Sequence, residues 1–525
     1  MKRNFRKPRL LKDLMKNKVI HETNLNDEDT KSSSSAIISS QLSENEARLK
    51  ADFQNCSDIA FHYYEFGPNF ADRCYSVHCE TLVQDHKHNH LNSILLDLAM
   101  VEIAPQKTIT VEEVKTYFIN HGVSSQLVTV VDDYEEIKKN ILDGHVVILF
   151  DHWQKALSVR AINVEGRTVE EPISEGVVFG PHEGTVENLK KNLGLLRSRL
   201  RNPLFKIETM TAGKETKTEI AYGYLEETVD PETLKEFKKR LKKLEGKDIL
   251  ETSFVEEMIE DSTYSPFPQY RVTERPDVAV PALLDGKIIV LVEGTASILI
   301  CPALYMELFQ SVEDYYQRTI ISTMIRFMRM VAVFISLTLP SVYIALSTFH
   351  PEMIPTVLLL AVLNTREGIP FPALLEAVIM LFFFELMREA GIRMPRPIGQ
   401  AVSIVGALII GEAAIQAEIA SPIMVVVVAL TGISSFAIPQ YNLAIAYRIL
   451  QYPLMLLSAT LGLFGLMIGL LLILLHLTSL RSLGQPYLAP IAPLRGMELR
   501  DVLIRAPLKT LLRSPRNRHM HKTLD

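Results

Sequence analysis

The chain has 525 residues, a formal net charge of -6 and only 4 Cys, with 48% hydrophobic and 22% charged residues. That length allows more than one core, and the composition excludes a disordered chain, a collagen-like chain and a small disulfide scaffold. An all-soluble protein is excluded too, because residues 330–477 hold only twelve Asp, Glu, Lys or Arg and contain apolar runs as long as a bilayer is thick. Cys56, Cys74, Cys79 and Cys301 lack framework spacing and read as reduced thiols on a cytoplasmic face.

In chain order, positions 1–18 carry eight basic residues and one acid with no apolar stretch behind them, so no secretory signal is read. The polar run up to Ser43, with Ser32–Ser35, extends this into an expected disordered tail over 1–50. From 51 to about 310, short strand-like segments alternate with helical ones. Strands are expected at Asp58–Phe66, Leu127–Val131, His145–Phe150, Glu219–Leu225, Lys287–Val292 and Ser297–Ile300. Helices are expected at Thr110–His121, Asp133–Leu142, Glu187–Arg201 and Pro231–Leu244, the last capped by Asp230 with Pro231 at its first position. A Pro/Gly-rich break at Pro172–Gly184 divides the region into two cytoplasmic subdomains, 51–170 and 171–320. The fold class is therefore α+β or α/β in two cytoplasmic subdomains, followed by a helical transmembrane bundle over 321–480 and a basic tail over 481–525.

The soluble half holds no phosphate loop, dinucleotide fingerprint or serine elbow. Cys74, His78, Cys79, His86, His88 and His90 form one cluster, but its spacings match no metal site, and a polar loop is the simpler reading. Lys190, Lys191, Arg197, Arg199 and Arg201 read as the solvated face of a helix. No catalytic residue, metal or cofactor is assigned, and nucleic acid is not an expected partner. The basic tails suit membrane lipids.

In the membrane half, spans are expected at 330–349, 371–387, about 419–437 and 452–477. Residues 356–362 and 400–418 are then re-entrant or bundle-buried; six crossings, with both of them spanning, also satisfy parity. Arg and Lys are concentrated before the first span, at 388–397 and in the C-terminal tail, which puts both termini on the cytoplasmic side. The intramembrane acids are Glu376, Glu385, Glu412 and Glu418, each costly at membrane depth. Glu385–Arg388 and Glu389–Arg393 have helical pairing distance, whereas Glu412 and Glu418 have no nearby base in sequence. At 100° per residue, Gln400, Ser403, Ala407, Gly411, Ala414 and Glu418 share one narrow stripe. Such a stripe is either a close helix–helix seam or a wall facing water in a pore, and the two readings carry equal weight.

Several long segments resemble the A-subunit family of GerA-type spore germinant receptors: SPFPQYRVTERPD at 265–277, EDYYQR at 313–318, NTREGIPFPALLEA at 364–377, LMREAGIRMPRPIGQAVSIVGALIIGEAAI at 386–415, SPIMVVVVALTGISSFAIPQYN at 421–442 and HLTSLRSLGQPYLAPIAP at 476–493. The likeness is strong over about 170–495 and weaker over 51–170. It implies a non-enzymatic, multi-pass subunit of a nutrient receptor in the spore inner membrane. The implied partners are a transporter-like B subunit, a lipoprotein C subunit and further copies of the chain, assembled as a pentamer into a nutrient-gated monovalent-cation channel. The segment VVFGPHEGT departs from the family pattern at Phe179, His182 and Thr185, and Glu293 and Ala296 replace the family's Asp and Pro. These departures leave open an A-like paralogue acting as an accessory germination channel; a secondary transporter is the other alternative. Thr273, Glu274, Arg275 and Asp277, just before the membrane region, are candidates for coupling the two halves. The competing reading is a structural turn fixed by Pro266, Pro268 and Pro276.

Overall fold

The computed structural model describes residues 37–66, 72–84, 128–162, 175–395, 409–494, 498–502 and 504–507, with isolated positions 89, 116, 172 and 406. The chain forms two compact units, one running to Glu165 and including Arg201–Pro203, the other comprising Gly166–Leu200 and everything from Leu204. The expected helix Thr110–His121 lies outside the described residues, as do His86, His88 and His90.

The first unit holds a five-stranded sheet in the order β1-β2-β4-β5-β3: β1 Ile59–Phe66, β2 Asp72–Cys79, β3 Val128–Val131, β4 His145–Phe150 and β5 Ala156–Arg160. Every pairing in it is antiparallel. The helix Leu42–Asp52 and buried Ile38 belong to its core, beside Ile137 and Val147. The expected tail over 1–50 is therefore corrected for residues 37–50: apolar residues at 38, 49 and 53 bury a helix that polar neighbours conceal. Of the Cys/His group, Cys74, His78 and Cys79 are described and lie in β2. β2 places Cys74 and Cys79, five residues apart, on opposite faces. Cys79 donates to Asp58 at 3.3 Å, and His78 stacks on His62.

The second unit opens with a sheet in the order β6-β7-β9-β10-β8, again antiparallel throughout: β6 Phe205–Ala212, β7 Thr218–Leu225, β8 Arg271–Thr273, β9 Ile288–Val292 and β10 Ile298–Cys301. Its strand order repeats that of the first sheet. Each sheet is preceded by a helix (Leu42–Asp52, Leu189–Arg199) and carries another helix between its third and fourth strands (Tyr134–Leu142, Pro276–Leu284). Among the described residues, the two sheets thus share one α+β strand order and helix placement, a repetition the sequence pattern does not display. Of the expected α+β or α/β class, the form present is α+β, with neighbouring strands antiparallel in both sheets.

Local chemistry sets the helix ends. Asp230 accepts from Thr233 N at 2.9 Å with Pro231 in the first turn, and Phe237 and Leu241, four residues apart, face the sheet. Arg197, expected in solvent, is fully buried. Its guanidinium donates to Phe205 O at 2.8 Å and lies over the Phe205 ring.

Among the described residues, two helical segments, Thr319–Thr348 and Tyr441–Ser479, are long and apolar enough to cross a membrane; Ala373–Arg393 and the shorter Thr356–Arg366 and Pro422–Phe436 lie between them. The uninterrupted run expected at 452–477 is not one rod. Gly462 has φ 61 and ψ -143, and a Cβ on Gly469 would fall 2.3 Å from Leu454 Cδ2. In a straight helix those residues would stand about 22 Å apart. The run therefore doubles back at Gly462 into two antiparallel helices, 441–461 and 463–479. Phe349 and His350, at the far end of the first membrane helix, close over this turn. Apolar runs report helix but not reversal, so only the backbone sign of one glycine marks the bend.

In the soluble half, Glu256 and Glu260 sit half-buried at the helix Thr252–Ile259. Burial, then repulsion from Glu260 and Glu251, pushes Glu256 from 4.5 up to about 7; burial also pushes Glu260 up to about 7. A raised folded value means that their contribution is fully present below about 4.5 and is lost as the pH climbs through about 7. We expect backbone hydrogen-exchange protection of 252–259, corrected for intrinsic rate, to fall by about 2 kcal/mol per group across that window. Glu256→Gln should remove about half of the dependence, the part due to Glu260 remaining.

Candidate functional site

The residues that join the second sheet to the membrane helices form three adjoining clusters. The first grows from the segment 273–277. Arg275 is fully buried and grips Asp277 in bidentate fashion at 3.0 and 2.9 Å. Its remaining N–H groups donate to the carbonyls of Glu175 and Pro181 at 3.2 and 2.6 Å. Asp277 also accepts from the Tyr316 hydroxyl at 2.6 Å. Thr273 donates to the Glu175 carboxylate, which in turn accepts from Gln440 at 3.1 Å, one residue before the membrane hairpin. Glu274 contributes its carbonyl oxygen, which accepts from Thr185 N at 2.7 Å. The structure thus brings Thr273, Arg275 and Asp277 together and starts a helix at Pro276, so the proline turn and the junction are one object. Sequence reasoning missed Glu175, Tyr316 and Gln440. Glu175 stands in a Pro/Gly-rich break with no period, and nothing short of contact reveals it.

The second cluster is aromatic. Phe267 makes edge contacts with Tyr305 and Tyr447 and stacks on His476, whose Nε2 is hydrogen-bonded to Ser265 at 2.8 Å. The hydroxyls of Tyr305 and Tyr447 meet, and Tyr487 donates to Pro268 O at 2.6 Å. Burial raises the Tyr305 and Tyr487 hydroxyls above their ordinary value, so both remain neutral donors. These rings share one continuous apolar core with Val333, Leu337, Leu454 and Leu466 of the membrane helices. The expected basic tail from 481 is corrected here: Tyr487, Leu488 and Val502 are buried in that core.

The third cluster is ionic. Arg326, about two turns into the first membrane helix, contacts Asp314 at 2.9 Å and Asp501 at 2.9 Å, all three side chains nearly inaccessible. Arg329 reaches Asp314 at 2.8 Å, Tyr315 donates to Asp501 at 2.7 Å, and Arg505 donates to Thr319 at 2.8 Å.

Within the bundle, the four intramembrane acids divide into two pairs. Glu376 is fully buried, 3.2 Å from Arg366, and accepts from the backbone and hydroxyl of Ser421 at 3.0 Å each. Glu385 is shared by Arg388 at 3.1 Å and Arg448 at 2.9 Å. The expected pairing with Arg388 is present; Arg448, 63 residues away, lay beyond local spacing. Glu412 and Glu418 are exposed. Glu412 accepts from Gln416 at 3.1 Å, and Glu418 follows the helix over 409–416 at φ 52, with Gly368 against its carboxylate. Of the small-residue stripe, Gln400, Ser403 and Ala407 lie outside the described residues. Gly411 lies against Val425, and Ala414 is buried with Met424 and Val428, which is seam packing.

A sequence profile of the Bacillus/Clostridium GerA spore germination protein family matches residues 47–517. The chain belongs to the GerA spore germination protein family. It is 39% identical to the uncharacterized membrane protein YfkQ of Bacillus subtilis (strain 168), over 91% of each chain. It is also 39% identical to spore germination protein KA of the same organism, over 90% of this chain and 85% of the relative, and 33% identical to its spore germination protein A1, over 93% and 96%. The crystal structure of the N-terminal domain of the A subunit of the Bacillus megaterium spore germinant receptor GerK3 matches with a TM-score of 0.40 and 27% identity, covering 51% of this chain and 98% of that one. The chain is therefore a spore germination protein of a family that is not an enzyme class.

Removing Arg326 would take the arginine from buried Asp501 and leave Asp314 to Arg329, a loss of about 3 kcal/mol. In Arg326→Gln, we expect the segment 498–507 to lose exchange protection and become sensitive to protease, with β6–β10 unchanged. Equal protection in variant and parent would show that the aromatic core alone holds the C-terminal segment.

Proposed function

We propose that the chain is the A subunit of a nutrient receptor in the spore inner membrane, acting with a transporter-like B subunit and a lipoprotein C subunit. In this reading, several copies form a ring, a pentamer by family analogy, whose axial passage conducts monovalent cations when nutrient is bound. The observation that carries it is the division of the acids. Glu376 and Glu385 are neutralised inside the bundle by Arg366, Arg388 and Arg448, whereas Glu412 and Glu418 face outward beside Gln416. An acid on the outer face of a membrane bundle needs water or another subunit. A ring meets that need by turning this face toward a wet passage, where acids favour cations. Gly411 and Ala414 then serve as the seam that holds the acid-bearing helix to Pro422–Phe436. Of the sequence candidates, Glu412 and Glu418 line the passage, and Gln400, Ser403 and Ala407 continue the same segment.

The ends of the helices support termini on the spore-core side. Arg388 at one end of Ala373–Arg393 meets Ser435 at the end of Pro422–Phe436, and Glu376 at the other end meets Ser421 at its beginning. The two helices therefore run parallel, and the basic residues gather at their shared C-terminal end, beside Arg388. Nutrient binding to the B subunit would act through the junction at Glu175, Arg275 and Gln440, by contacts that differ between closed and open states.

The test is conduction by the purified, reconstituted oligomer. Glu412→Gln and Glu418→Gln should each lower cation flux and weaken cation-over-anion selectivity severalfold. Unchanged conductance and selectivity in both would remove these residues from the passage, and a monomer by cryo-imaging would remove the ring.

A further inference from the structure

A cavity of about 300 Å³ lies between the last turns of Ala373–Arg393 and the first turns of the hairpin that begins at Tyr441. It is lined by Glu385, Arg388, Glu389, Arg448, Tyr441 and Tyr452, with the isoleucines at 392, 445 and 449. None of its polar residues belongs to the proposed passage. Its charge does not close. Arg388 and Arg448 share the single carboxylate of Glu385, while Glu389 is held by Arg393 at 2.6 Å. Counting Arg388, Arg448 and Arg393 against Glu385 and Glu389 leaves one positive charge.

The hydrogen bonding does not close either. Arg388 spends two of its nitrogens on Glu385 and Ser435 and stacks against Phe384 and Phe436, and Arg448 spends one on Glu385. The Nε–H of each arginine is buried without a partner. A buried donor left unmade is costly, and a guanidinium's free edge matches the oxygens of a phosphate. The remaining walls are aliphatic and tyrosine, the mixture found where a membrane meets water.

We propose that this cavity binds the phosphodiester headgroup of an anionic phospholipid, its phosphate between Arg388 and Arg448 after a small rotation of either guanidinium, its acyl chains along Ile445 and Ile449. Basic pockets between membrane helices hold such headgroups by the same chemistry. Only the choice of leaflet, the spore-core side, rests on the orientation proposed above. A lipid bound here would brace Ala373–Arg393 against the hairpin.

The test uses the full-length protein in neutral detergent, titrated with short-chain phosphatidylglycerol, short-chain phosphatidylcholine and glycerol 3-phosphate, with binding read by native mass spectrometry. Phosphatidylglycerol should bind at least about tenfold more tightly than phosphatidylcholine. Arg448→Gln should weaken it about tenfold, and Glu385→Gln, which removes the competing carboxylate, should strengthen it. If Arg448→Gln does not fold, Arg448→Lys decides. It keeps a charge for Glu385 but lacks the fork, and a loss of about threefold is expected. Phosphatidylglycerol affinity that is the same in parent and variants overturns the site. Glycerol 3-phosphate binding as tightly as the lipid overturns the lipid assignment in favour of a soluble phosphate.

Discussion

The rest of the second unit depends on one buried group of charges. Arg326 lies inside a membrane helix, yet its partners Asp314 and Asp501 come from the segment before that helix and from beyond the last one. Three ions taken out of water are tolerated only if they hold one another in good geometry. The beginning and end of the membrane half are therefore pinned to the same point. The aromatic cluster around Phe267 and Tyr447 then extends one apolar core from the second sheet into the bundle. A soluble domain tethered by a linker would show neither feature. This one is built into the helices it precedes, so displacement of the sheet and tilt of the helices are one coordinate.

The sequence made the division of labour plain, because charge disappears where membrane begins. The capped helix at Pro231 and the apolar runs at 288–292 and 298–300 were readable for the same local reasons that form them. What local pattern does not carry was missed. Strand order and direction depend on pairings across dozens of residues, so the twofold repetition of the 1-2-4-5-3 sheet order is invisible without the fold. The reversal at Gly462 is likewise silent, since both arms are equally apolar. Buried Arg197 read as solvated because its charge is answered by a backbone carbonyl and an aromatic face.

Of the junction residues, Thr273, Arg275 and Asp277 stood out because they are polar residues in a stretch otherwise committed to proline and core. Their partners Glu175, Tyr316 and Gln440 come from three separate segments. No spacing rule joins them, and each alone looks like an ordinary surface residue. The acid Glu385 shows the same limit. Its bond to Arg388 follows from helical periodicity, and its bond to Arg448 follows only from tertiary packing.

The treatment of the acids also constrains how the bundle can respond. Glu376 binds Arg366 at one end of Ala373–Arg393, and Glu385 binds Arg388 and Arg448 about 14 Å further along the same helix. Two ionic anchors at separated points resist rotation of this helix far more than one would. A helix so held is a poor moving part. The helix over 409–416 has no such anchor among its described residues. It is held by Gly411 and Ala414 against Val425 and Val428, contacts between small and aliphatic side chains that slide at little cost. If one element of the bundle shifts relative to the others, the physical asymmetry picks the acid-bearing helix at Glu412 and leaves Ala373–Arg393 as the frame. The phosphate cavity lies on that frame, so a lipid seated there would stiffen the stationary part and not the moving one.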